Sequence, residues 1–176
     1  METTKWALEP THSEVQFKVR HMMISNVTGH FEKFAATVET EGDDLTSAKV
    51  HFTADVDSIA TNNEQREAHL KSADFFDADN HSQVIFESTK MVKTGENKYK
   101  LYGNLTMRGN THPIALDVEH GGTIKDPYGL TRCGFTVDGK VNRKDYGLTW
   151  NALTEAGGMV VSDEVKIHAN VQFVKS

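Results

Sequence analysis

Cysteine is nearly absent from this chain, one residue in 176. Cys133 therefore has no intrachain disulfide partner, which is compatible with a reducing compartment. Long apolar runs are missing as well. The opening segment METTKWALEP holds no stretch of secretory-signal length, and no later segment is long and apolar enough for a spanning helix. A basic excess is the third absence. Net charge is -6 at pH 7 with histidine neutral. Duplex-binding proteins show a basic patch, and none is visible, so nucleic acid is not expected as a partner. An anionic membrane surface is a poor partner for the same reason. Together these absences predict a soluble cytoplasmic protein, or a periplasmic or secreted one if a leader has been removed.

Motifs of well-known chemistry are also lacking. There is no GxSxG elbow, no P-loop, no GxGxxG and no HExxH. The nine histidines are scattered without compact ligand spacing, and a single cysteine excludes cysteine-rich zinc sites. His51 and His168 fall on the polar phase of their segments and read as solvated. His21 falls on an apolar phase, where a hydrogen-bonded interior histidine is the commoner case. DADNH at 77–81 begins like a calcium loop, but Ser82 stands where that loop needs glycine and Ser88 where it needs glutamate. It reads as a capped turn. No metal and no cofactor are expected.

What is abundant is period-2 alternation. In SEVQFKVRH, Val15, Phe17, Val19 and His21 share one face, with charged and polar residues on the other. KVHFTADVD repeats this with Val50, Phe52, Ala54 and Val56. KYKLYGNLTM, PIALDVEH, RCGFTVDGKV and EVKIHANVQF follow suit. Each is the pattern of a strand with one dry and one wet face. Turn signals separate them at 41–44, 95–97, 121–122, 126–129 and 156–158. The count is about eight strands in one all-β domain over 1–176, antiparallel by its short connections. A sandwich and an up-and-down barrel both satisfy the pattern. The long runs suit a barrel, which also removes the sheet edges. Small inward residues (Ala54, Gly103, Gly139, Ala169) either leave a tunnel or accommodate bends.

One block departs from the alternation. NNEQREAHLKSADFFD at 62–77 follows Thr61, and Thr61 with Glu64 forms a capping box. A short helix is expected over about 62–73. Its apolar anchors are few (Ala68, Leu70, Ala73), so it covers something already built rather than forming a layer. Phe75 and Phe76 would pin its exit. Arg66 and His69, one turn apart, either bind an anionic head group or join a hydrogen-bonded seam.

Across nearly its whole length the chain resembles the YceI-like family. The resemblance lies in WALEPTHSEVQFKVRH at 6–21, VTGHFEKF at 27–34 and SIATNNEQREAHLKSADFFD at 58–77. It continues in VIFEST at 84–89, GNLTMRGNTHPI at 103–114 and NRKDYGL at 142–148. Thr61-Asn62 stands where the family often has Thr-Gly, Arg66-Glu67 where it often has Arg-Asp, and Ser82 where a proline is usual. The resemblance implies an extended, lipocalin-like antiparallel β-barrel with a helical insertion. It implies a non-catalytic protein that binds a long apolar chain (polyisoprenoid, isoprenoid quinone, or fatty acid or amide) in an internal tunnel. Members often carry a secretion leader, and some form homodimers. The expected lining is the apolar phase: Val15, Phe17, Val19, Phe34, Val50, Phe52, Leu101, Leu105, Leu116, Val118, Phe135, Val137, Ile167 and Val171. His21 and Arg66 are the candidates for a polar head. An enzyme on a lipid-like or small apolar substrate and a filled-core interaction barrel are the alternatives.

Overall fold

In the computed structural model, residues 2–21, 25–148 and 161–175 are described. The strands are β1 Thr3–Leu8, β2 Glu14–His21, β3 Ser25–Phe31, β4 Phe34–Glu41, β5 Asp44–Asp55 and β6 Ile59–Ala60. After the helix α1, Glu64–Lys71, come β7 Gln83–Gly95, β8 Lys98–Met107, β9 Asn110–Lys125, β10 Thr131–Asn142 and β11 Val161–Lys175. All pairings are antiparallel, and the sheet closes because β11 pairs with β1 as well as with β10 and β2. The sandwich is thereby excluded. Eleven strands make eight staves, because three staves are broken: β1 with β2, β3 with β4, and β5 with β6. No described helix is long and apolar enough to cross a membrane.

The breaks have local causes. Pro10 starts a single 3-10 turn, Pro10–His12, between β1 and β2. Proline cannot donate to a ladder, so the strand leaves the sheet there. Residues 32–33 interrupt the second stave and Val56–Ser58 the third. These two breaks are stitched together: Glu32 N donates to Ser58 O at 3.0 Å and Asp55 N to Lys33 O at 2.9 Å. The hydroxyl of Ser58 adds a bond to Asp55 O at 2.7 Å. No backbone group named here is left buried without a partner, which is what a break in a sheet requires.

The small inward residues divide: Ala169 lines the internal cavity described below, as expected of a tunnel wall, whereas the glycines are seats for large neighbours. A side chain at Gly103 would meet Phe86 Cζ at 2.5 Å, one at Gly139 would meet Leu116 Cδ2 at 2.4 Å, and one at Gly29 would meet Phe17 Cζ at 2.3 Å. Each missing side chain is a slot that a large neighbour occupies. At these three places large and small residues alternate across strands and pack closely.

The helix also differs from its expected start. Its N-cap is Asn63, whose Oδ1 accepts from Arg66 N at 3.0 Å. Glu67, not Glu64, reaches back, accepting from Asn63 N at 3.1 Å and Thr61 N at 2.9 Å. Thr61 is buried at 4% exposure and its hydroxyl is already taken by Arg66 Nε at 3.0 Å. Thr61 is thus engaged away from the helix start, and the cap moves two residues on and the acid three. No residue of α1 is fully buried, and Leu70 packs against the core from its edge.

Candidate functional site: an apolar cavity inside the barrel

All eight staves turn side chains toward one internal cavity of about 220 Å³, and Phe76 joins them from the segment after α1. The wall presents no polar surface to it. It is larger than the roughly 150 Å³ apolar cavities that stay dry and take up benzene. Of the residues expected from the alternation, all line this cavity except Val19 and Phe34. Val19 lies opposite Val27 and Val165 near the end of β2. Phe34 packs against the core with its ring centroid 6.4 Å from that of Phe52. The period-2 pattern assigns a face correctly but does not say how deep along the barrel a residue sits.

The segment 56–82, the β8–β9 turn and the Arg143–Tyr146 turn after β10 gather at one end of the barrel, as the antiparallel order requires. Phe75 is buried there, with the His69 ring edge-on at 5.0 Å. Arg108 ties this cover to its surroundings, donating to Phe75 O at 3.1 Å and Gly147 O at 2.9 Å. Ala78 N to Lys71 O at 2.9 Å and His81 N to Asp77 O at 2.9 Å close the Asp77 turn that follows. Within this turn Asn80 Nδ2 donates to both Asp77 carboxylate oxygens.

The expected polar pair is divided. Arg66 Nε and Nη2 both donate to Thr61, and Arg66 is not part of the cavity wall. His69 turns to Asp74 at 2.9 Å. Arg66 belongs to the seam between α1 and the end of β6, and His69 to the contact between α1 and the segment that follows it. The side chain of His21 lies outside the described residues. His51 and His168 stand half exposed on the outer face, 3.3 Å from Glu87 and 2.6 Å from Asp138.

At the same end sits a group the alternation did not mark. Arg143 is 3% exposed and donates to three backbone carbonyls: Ser162 at 2.8 Å, Leu148 at 2.6 Å and Val161 at 3.2 Å. Burial pushes its pKa down, and Asp163, 3.7 Å away, opposes that. Tyr146 is 1% exposed, and its hydroxyl has no hydrogen-bond partner among the described residues. Burial pushes the phenol pKa up to about 12, so it is a protonated donor at neutral pH. An unmet buried hydroxyl costs about 1–3 kcal/mol. The only advance signal for this group was the segment NRKDYGL.

The opposite end is packed by Trp6, Cys133 and Phe173. A bulge at Gly134/Phe135 sets Phe135 opposite His120 instead of Gly121, with the two rings 5.2 Å apart. His120, Thr123 and Cys133 bond to one another there at 3.0–3.4 Å. Burial raises the Cys133 thiol, so it is no ready nucleophile.

A family model described as the YceI-like domain matches residues 6–173. A UPF0312 protein of Staphylococcus epidermidis is 37% identical over 171 residues, 97% of each chain. One from Staphylococcus aureus is 35% identical over the same share. Among solved structures, the Campylobacter jejuni YCEI protein is 30% identical with a TM-score of 0.70, covering 86% of this chain and 88% of its own. Burkholderia cenocepacia BcnA has a TM-score of 0.82 at 22% identity, with 94% and 98% covered. A polyisoprenoid binding domain from Saccharophagus degradans has a TM-score of 0.63 at 15% identity, with 96% and 97% covered. The last two likenesses show the shared fold.

Proposed function

The chain belongs to the YceI-like domain family, and on that premise we propose that it is a binding protein for one long-chain apolar lipid, held inside the barrel. The observation that carries this is the cavity: all eight staves contribute to it and its wall offers no polar surface. Such a wall supplies burial of hydrocarbon and nothing that moves a proton. Each buried methylene contributes about 0.8 kcal/mol, while association costs roughly 4–15 kcal/mol. A short ligand therefore gains too little to hold, and the balance improves with every further carbon a long chain buries. A prenyl chain meets that requirement, and the polyisoprenoid binding domain of Saccharophagus degradans, which has this fold, supports it as the ligand. Isoprenoid quinones and fatty acids or amides carry similar tails. Sequestering such a molecule from water serves transport, storage or sequestration. Organic extraction of the purified protein followed by mass spectrometry is expected to give one long-chain lipid per barrel. An empty extract, together with no uptake of added quinone or polyprenol, rejects the proposal.

A further inference from the structure

Two places beside the cavity carry polar side chains, one at each end, and they differ in one respect. At the end packed by Trp6, the groups His120, Thr123 and Cys133 satisfy one another. A ligand gains little there, because every bond it makes displaces one already formed. At the end beneath α1, the Tyr146 hydroxyl is buried and unmet among the described residues. Tyr146 starts at the rim, where Asn110 Nδ2 donates to its carbonyl at 2.9 Å. Its ring meets the edge of His112 at 5.2 Å. His112 lies opposite Leu105, a residue of the cavity wall. Tyr146 also belongs to the buried apolar cluster that contains Met107 and Val141, both of which line the cavity.

We propose that Tyr146 is the anchor for the ligand's polar head, donating its hydroxyl to a neutral acceptor such as a quinone, ester or amide carbonyl. This rests on the lipid-binding function proposed above and adds an orientation to it: the head lies under α1 and the tail runs toward Phe173. Tyr146 is not itself a wall residue but shares a buried cluster with Met107 and Val141, which are. Met107, unbranched and flexible, is the residue that yields to admit the head. The raised pKa keeps the phenol a donor throughout the physiological range. A charged head is disfavoured, since Arg108 and Arg143, the arginines that flank Tyr146, already donate to backbone carbonyls. Neither offers an uncommitted cationic cradle for a diphosphate.

The test compares two probes of equal carbon number delivered from cyclodextrin: methyl palmitate, which has a carbonyl acceptor, and heptadecane, which has none. Wild-type protein is expected to bind the ester about fivefold more tightly, the net worth of one hydrogen bond. Tyr146→Phe is expected to remove that preference and leave heptadecane affinity unchanged. The same variant, free of ligand, should melt no lower than wild type, because an unmet hydroxyl has been removed. Equal binding of both probes by wild type overturns the anchor while leaving lipid binding intact. A preference that survives in Tyr146→Phe also overturns it, since the donor then lies elsewhere. Binding of neither probe overturns the lipid-binding function and the anchor with it.

Discussion

Filling the cavity from within should raise stability and lower lipid affinity in the same variant. Ala169 is the position to use. It is 7% exposed and lies between Val137 and Val15 on the neighbouring strands, and all three belong to the wall. Ala169→Leu adds three carbons. At about 0.8 kcal/mol each, their burial in existing space stabilises the lipid-free protein by up to about 2 kcal/mol. The added bulk occupies cavity space that a lipid tail would otherwise fill. A tail that loses three buried carbons loses about 2 kcal/mol, or roughly thirty- to fiftyfold in Kd. Urea unfolding of delipidated protein gives the first quantity, and titration with a fluorescent fatty probe gives the second. Destabilisation by more than about 1 kcal/mol with unchanged affinity would refute the reasoning, since it would place the Ala169 methyl against packed core.

Gly103→Ala should lower the urea midpoint by an amount equivalent to about 1–3 kcal/mol, because the new carbon would stand 2.5 Å from both Glu87 O and the Phe86 ring; an unchanged midpoint would mean that the slot is roomier than it looks. Arg66→Ala should cost about 1 kcal/mol, the usual worth of a helix-start contact, and leave lipid affinity alone, because its side chain is spent on Thr61. A tenfold loss of affinity would place Arg66 at the ligand instead. Acid should open α1 through Glu67. The backbone N–H groups of Thr61 and Asn63 hold its carboxyl below the ordinary 4.5, so its contribution is complete above that value and is lost as pH falls through the lowered folded pKa. Amide exchange at Asn63 should therefore accelerate in acid, and Glu67→Gln should flatten that dependence; identical profiles for the two proteins would remove Glu67 as the cause.

Alternation along single strands was enough to assign the inner face, because a β side chain has only two directions to choose from. That is why Val15, Phe17, Leu116 and Ile167 could be named for the cavity before any coordinates. Val19 and Phe34 show the limit. They share the inner phase of their neighbours, yet depth along the axis depends on strand tilt and stagger, which are properties of the closed sheet. The breaks were hidden for a related reason: Pro10 was visible, but residues 32–33 and 56–58 leave their ladders only because they bond to each other across the sheet. Gly103 was legible as small and inward, not as the seat of Phe86, since the pairing of a slot with its occupant is a register fact. Tyr146 was least accessible. An unmet hydroxyl is defined by what fails to reach it, and a linear pattern contains no such information.

The pairing of β11 with both β1 and β2 has a consequence for the order of events on the ribosome. The strand that closes the ring is the last to emerge, so most of the chain waits with two open edges, one on β10 and one on the first stave. Contacts of such long sequence separation form slowly. An interior capable of enclosing anything exists only after Val161–Lys175 has been made, and whatever the barrel holds must enter a finished molecule or be trapped as its last seam shuts.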